Sequence, residues 1–516
     1  MAQESRVKKS LLNARVNLIF YFLTLALSFF SRKIFLDCLG ADFVGLTGTL
    51  QNLLGFLNLA ELGIGSAIGY VLYKPLFDHD EAKINEIISV FGYLYRWIGR
   101  IILGAGCILA CFLPLIFPDT QFELGIIFFA YFAFLASSLI GYFANYKQTL
   151  LGADQKNYVV TAYFQTANIV KVLIQMASAY YTGSYYLWVV IELVFGIIYS
   201  FILNWKINQV YPWLKSEVKQ GKLLFKKYPE VMKYTKQLFV HKLGGFVQFQ
   251  TTPFLIYAFV SLPVVAVYQN YTLITSKLVS CLSNFYSSVG ASIGNLIAEG
   301  NKQRVIEIYW ELFSLRVYIA AFACISLYYL INPFIILWIG DDYLINNTAL
   351  ILILINTFIS IIRWVSEDFI FGYGLFWDIW APIVEAIINL LCAIIGGYFW
   401  GLPGVLLGGV ISLSTVILLW KPYLLFHWGF KISLIKYWYG FISCIVAVLI
   451  PILGCQYIIG FISLNEHESW INWIVYSIII SLSYLIMAYI SLYLLTPGMK
   501  SFTKRITTII KNKFIL

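Results

Sequence analysis

Charged side chains are scarce, making up 12% of 516 residues, against about 25% in an ordinary soluble domain. That shortage excludes a water-solvated globular fold. The four histidines are scattered, and the eight cysteines lie in or at the ends of apolar runs. Cys107 and Cys111 share a helix face but have no acidic or His neighbour, so buried apolar thiols are a better reading than a metal site. No G-x-x-x-x-G-K-[ST] occurs; "GADQKNY" and "GKLLFKK" do not fit it, and an intrinsic ATP motor is not supported. Neither a cofactor nor a metal is expected.

What the chain does have is apolar length. Hydrophobic residues make up 60% and aromatics 18%, with 15 Trp, and the mean hydropathy is +0.81. Amphipathic rings collect where apolar segments meet water. Arg6, Lys8, Lys9 and Arg15 lead into a span too long for a signal core, so no cleavable signal peptide is expected. A formal charge of +10 raises the possibility of a nucleic-acid partner, which needs a water-exposed basic face. None is expected here, because the basic residues are distributed in another way.

A helix needs about 20 apolar residues to cross the hydrocarbon. Fourteen such runs are read, at 12–37, 43–73, 87–116, 124–147, 158–182, 186–205, 237–261, 264–297, 309–338, 347–373, 379–399, 402–421, 437–462 and 470–495. They are continuous rather than alternating, which excludes a β-barrel. With the N-terminus inside, 26 of the 35 Lys and Arg fall in inner segments or at the inner ends of spans, and none in the outer loops. One miscounted span would scramble that contrast, so both termini are expected in the cytoplasm. The outer loops, such as "TGSYY" and "GDDYLINN", are very short.

The expected fold is therefore an all-α polytopic membrane protein with 14 transmembrane helices. It divides into an N-terminal lobe (1–205), a basic cytoplasmic linker (206–236), a C-terminal lobe (237–436), and a final helix pair with a basic tail (437–516). The linker sets Trp213, Leu214, Val218 and "LLF" at 223–225 among eight lysines, either an interfacial helix on anionic lipid or a plain tether. The lobes echo each other. Gly65-x-x-x-Gly69 falls over Gly290-x-x-x-Gly294, and Gly152 precedes Asn168 much as Gly374 precedes Asn389. Parallel six-helix repeats are the expected arrangement, although close helix packing alone accounts for the glycines.

Charges inside the spans are the candidates for function, because an ionised group at mid-bilayer costs about 2.5–3.5 kcal/mol and faces the bundle interior or a wet cavity. The candidate cations are Arg32, Lys171, Lys242, Lys277 and Arg363, and the candidate carboxylates are Glu61, Glu367, Asp368 and Glu385. In "IIRWVSEDF", Arg363 and Glu367 are four apart and share a face, while Asp368 is turned away by about 100°. Either Glu367 neutralises Arg363, or Arg363 also offers donors to an anion. Asp368 lies near the inner end, within reach of cytoplasmic water. Lys242 also lies near an inner end, and Lys171 has a possible partner in Glu192. Arg32 and Lys277 have no acid at helical spacing in their own spans. Arginine binds phosphate bidentately and lysine supplies a point charge.

Three stretches carry a family resemblance: "FFSRKIFLDCLGADFVGLTGTLQNLLGFLNLAELGIGSAIGYVLYKPL", "YKQTLLGADQKNYV" and "GYGLFWDIWAPIVEAIINLLCAIIGGYFWGLPGVLLGGVIS". Together the chain resembles the polysaccharide (Wzx-type) flippases of the multidrug/oligosaccharidyl-lipid/polysaccharide exporter superfamily. The resemblance implies a V-shaped pair of lobes around a cationic cavity in a bacterial inner membrane. It implies a passenger, an undecaprenyl-diphosphate-linked oligosaccharide, moved from inner to outer leaflet for surface polysaccharide biosynthesis, with the polymerase machinery as a possible partner. Arg32 matches the Ser-Arg of the family's first span, and Arg363 matches the arginine usual in span ten. The Glu367-Asp368 pair departs from the pattern and points to an amino sugar or a coupling carboxylate, with H+ or Na+ as the coupling ion.

Two further readings use the same fold. Lipid II flippases typically carry an Arg-Asp after the first Ser-Arg and paired arginines in span two, which "SRKIFLD" and "NLAELG" lack. A drug or cation antiporter favours a deep acid in span one, where only Asp37 occurs, at the outer end. An enzyme acting on lipid-linked sugars is disfavoured, since such chemistry usually draws on sizeable outer loops.

Overall fold

The computed structural model describes residues 6–514 except 58–60, 62–63, 119, 155, 157, 230, 233–234, 236–250, 287–292, 294–295, 298, 376 and 463. Every regular element among the described residues is helical. That is the expected answer for apolar runs in lipid, where each backbone N–H and C=O must be satisfied within its own segment. Ten helices are long and apolar enough to span a membrane, so the chain is a multi-pass membrane protein. Fourteen spans are not reached on these residues. Much of the seventh expected span, at 237–261, lies outside them, as do Gly290 and Gly294.

The chain divides into two compact units, Met1–Ala266 and Val267–Leu516. In the first, α1 (Arg6–Leu57) is a pair of helices joined across a kink at Gly40, covering the first expected span and the start of the second. No outer loop separates them. Gly40 sits at φ +82° with nothing within 4 Å of a built Cβ, so backbone conformation rather than space calls for glycine there. The second expected span continues into α2 (Ile64–Phe77), with Glu61 between α1 and α2 and residues 58–60 and 62–63 outside the described set. Then follow α3 (Glu81–Ala110), α4 (Leu124–Ala144), α5 (Tyr158–Thr182) and α6 (Tyr185–Val210). α3 is capped by Asp80, whose side chain accepts from Lys83 N at 2.9 Å. It buries Ile84, Ile87, Ile88, Phe91, Ile98 and Ile102 at spacings of three, four and seven, the period of one helix face. α4 and α6 pack closely because Gly196 faces Ser137, whose Oγ would lie 2.5 Å from a Cβ at that glycine. Residues 211–228 of the basic linker fold back onto the first turns of α3, burying Leu214, Val218 and Tyr228.

α7 (Leu262–Tyr286) begins in the first unit and continues into the second. α5 and α7 are 25 residues each, long enough to span, yet neither is among the ten most apolar candidates. Both carry a row of Gln, Asn, Thr and Ser, and each carries one lysine, Lys171 or Lys277. Helices this polar need polar neighbours rather than lipid on one side.

The second unit is built around α8 (Lys302–Ile339), 38 residues long. α8 packs on α9 (Asn347–Gly372), α12 (Ile435–Ile459), α13 (Trp470–Leu495) and α14 (Pro497–Phe514). Tyr309, Phe313, Phe369, Phe426 and Tyr437 are each under 3% exposed and form the aromatic heart of this packing. α10 (Trp380–Trp400) and α11 (Leu402–Phe430) form a tight hairpin. A Cβ at Gly404 would lie 1.8 Å from the Gly396 carbonyl oxygen, so the two backbones touch. α14 is held by Met499, which is 1% exposed, and by an ion pair from Arg505 to Glu311 of α8 at 3.0 Å.

Candidate functional site

Each unit carries its own intramembrane polar cluster. In the first, Glu61 accepts hydrogen bonds from the Tyr95 hydroxyl of α3 and, at 2.7 Å, from the Tyr142 hydroxyl of α4. Three separate chain segments thus meet at one carboxylate. Farther along the chain, Lys171 of α5 pairs with Glu192 of α6 at 2.8 Å. The other Glu192 oxygen accepts from Gln175 Nε2 at 3.0 Å, and Gln175 also reaches the Trp188 carbonyl at 3.3 Å. A buried ion pair is tolerated when its spare lone pairs are filled in this way. Arg32 donates from Nη2 to the Ala266 carbonyl at 2.9 Å, tying α1 to the first turns of α7.

The second cluster is charge-rich. Arg363 and Glu367 form the i,i+4 pair, with Nη2 to Oε1 at 2.7 Å and Nε to the same oxygen at 2.9 Å. Glu385 of α10 is 4% exposed and interacts electrostatically with Arg363, Glu367 and Lys421. Its Oε1 has no hydrogen-bond partner among the described residues. Asp368, one position on from Glu367, faces a different helix. It interacts electrostatically with Arg316 of α8, whose guanidinium also stands 5.3 Å over the Trp364 ring. Beyond the end of α9, Asp378 is 1% exposed and takes Lys421 at 2.6 Å and the Trp420 indole N–H at 3.1 Å.

The candidates read from sequence therefore fall into separate groups. Arg363, Glu367 and Glu385 come together, and Asp368 lies beside them but turns to Arg316. Lys171 stands in a pair with Glu192 rather than alone. Arg32 and Glu61 belong to the first unit in separate contacts. Lys277 is half-buried on α7, and Lys242 lies outside the described residues. Reading the sequence passes over Arg316, Tyr95 and Tyr142. Arg316 is legible as another cation inside a span, but the tyrosines are two of 37 and nothing local marks them.

Chemically, the second cluster offers a guanidinium with five N–H donors, of which one edge is taken by Glu367. The first offers carboxylates held by neutral donors or by a lysine. Among the described residues no group of three or more His, Cys, Asp or Glu stands close enough to hold a metal ion.

No family model and no curated protein matches the sequence. Solved structures do match it. A lipid II flippase, MurJ, in its inward closed conformation superposes with a TM-score of 0.65 at 16% identity, covering 92% of this chain and 98% of that one. An inward-facing MATE family multidrug resistance transporter of the MOP superfamily gives 0.60 at 14% identity, over 79% and 97%. A point mutant of the Vibrio cholerae MATE transporter VcmN gives 0.50 at 13% identity, over 82% and 99%. All three are described as flippases or transporters, none as an enzyme. The chain is a multi-pass membrane protein whose helical fold is like that of these solved flippase and transporter structures.

Proposed function

We propose that this chain is a flippase that carries undecaprenyl-diphosphate-linked oligosaccharide units from the inner to the outer leaflet of a bacterial inner membrane, by alternating access. The observation that carries the reading is Arg363. It sits within a span, its side chain is 26% exposed, and Glu367 occupies one edge of its guanidinium. The remaining donors suit a diphosphate, which arginine recognises bidentately. In this role Glu367 positions the guanidinium and keeps it stable in lipid when no passenger is present. Arg32, Lys171, Lys242 and Lys277 extend the cationic path in the proposal, and the lipid tail stays in the bilayer while the glycan and diphosphate cross. Glu61, Glu385 and Asp368 are the proposed coupling carboxylates, with H+ or Na+ as the driving ion.

A second reading, a lipid II-type flippase, is favoured by one observation, the likeness to a solved lipid II flippase over 92% of the chain. The two readings differ only in the glycan. The lipid-linked intermediate that accumulates on the cytoplasmic face when the protein is depleted names it.

The test of the mechanism is Arg363→Ala and Arg32→Ala, expressed at the wild-type level. Losing charge-assisted hydrogen bonds worth about 1.5–3 kcal/mol should lower export roughly ten-fold or more for Arg363→Ala. Surface glycan should fall and the lipid-linked intermediate should rise. Unchanged export and unchanged intermediate levels in both variants would falsify the cationic path.

A further inference from the structure

We infer that residues 211–228 form a fixed strap whose outer face binds the anionic surface of the membrane, a role separate from the transport reading above. The inner side of the strap is fastened to the first unit at many points. Tyr211 donates to Asp154 at 2.8 Å. Asn85 of α3 accepts from Lys215 N at 2.7 Å, Ser89 Oγ accepts from Glu217 N at 2.9 Å, and Tyr146 meets Ser216 at 3.1 Å. Glu86 takes both Lys227, at 2.7 Å, and the Tyr228 hydroxyl, at 2.6 Å. A Cβ at Gly221 would stand 2.5 Å from the Ser89 carbonyl oxygen, so the strap backbone lies directly on α3.

This fastening fixes what points outward. Lys215, Lys219, Lys222 and Lys226 are exposed, and Leu223 is 76% exposed in their midst. Among the described residues, Lys219, Lys222 and Lys226 form no ion pair. The whole strap holds five lysines against one acid, Glu217. A lone exposed leucine ringed by lysines is ill suited to water, and it fits a headgroup layer, where the ammonium groups meet phosphates and the apolar tip enters the acyl boundary. The linker that contains the strap holds eight lysines within 206–236, and each lysine near an anionic leaflet gains about a five-fold preference for it. Lys227 is excluded from this face, because Glu86 already holds it.

The experiment is hydrogen exchange followed by mass spectrometry on the full-length protein in nanodiscs, comparing phosphatidylglycerol-rich with pure phosphatidylcholine discs. The strap peptides should exchange about five-fold more slowly, or better, with the anionic lipid, the factor expected if even one lysine engages. That difference should shrink at 1 M salt, where the screening length falls to about 3 Å. It should also fall sharply in the triple variant Lys219→Gln/Lys222→Gln/Lys226→Gln, which leaves the Lys227–Glu86 fastening intact. Leu223→Ser is the second variant and should lose part of the protection without loss of charge. Equal exchange in both discs, or lipid-dependent protection that is undiminished in the triple variant, overturns the proposal. Protection that ignores the lipid and needs a soluble cytoplasmic fraction would assign the face to an acidic protein and overturn it as well.

Discussion

The two units solve the same problem, how to keep carboxylates inside a membrane, in different ways. In the first, Glu61 is held by two tyrosine hydroxyls, and Glu192 by a lysine and a glutamine. In the second, arginines stand against the acids: Arg363 with Glu367 and Glu385, and Arg316 with Asp368. The first unit thus holds its acids with neutral donors and one lysine, and the second with guanidinium groups that carry a permanent charge.

The sharpest way to break this contrast is at Arg316, which is 3% exposed. Arg316→Met should give the largest stability loss of the three changes, because it removes a buried guanidinium that stands over the Trp364 ring and in the field of Asp368. Thermal unfolding in nanodiscs should show the loss, and Arg316→Met/Asp368→Asn should recover most of it. Equal loss in the single and double variants would mean that the two residues are not coupled.

A smaller effect is expected at the first unit's ion pair, whose side chains are 12% and 23% exposed. Lys171→Met should cost about 1–3 kcal/mol, less than Arg316→Met, since Gln175 still satisfies one Glu192 oxygen. A loss as large as that of Arg316→Met would erase the distinction between the units.

The smallest change belongs to Tyr142→Phe. It removes one donor from Glu61 and leaves Tyr95 in place, so the stability cost should be about 1 kcal/mol. If Glu61 is a coupling group, the pH dependence of export should nonetheless move in this variant. An unmoved profile would reduce Glu61 to a structural role.

Part of this arrangement is legible in the residues themselves. The Arg363–Glu367 pair follows from a spacing of four, and the Lys171–Glu192 partnership from two single charges on adjacent apolar runs. Other contacts leave no such mark. Asp368 reads as a residue reaching for cytoplasmic water, and nothing in its own span marks the electrostatic influence of Arg316 on the neighbouring helix. Gly40 falls between the first two expected spans, and the structure makes it a kink that joins two helices directly. The linker reads as a tether or an interfacial helix, and the polar fastening that lays it on α3 depends on Asn85, Glu86 and Ser89, residues that on their own helix look like an ordinary solvated first turn.

By itself the sequence determined that this is a helical membrane protein, because hydrocarbon obliges each apolar run to satisfy its own backbone, and it determined the pairs formed within a single helix. Only the tertiary structure decided which carboxylate meets which cation or tyrosine across helices. Those partners are tens of residues apart, as with Glu61 and Tyr142, and their encounter is set by helix rotation and packing, which no local spacing encodes.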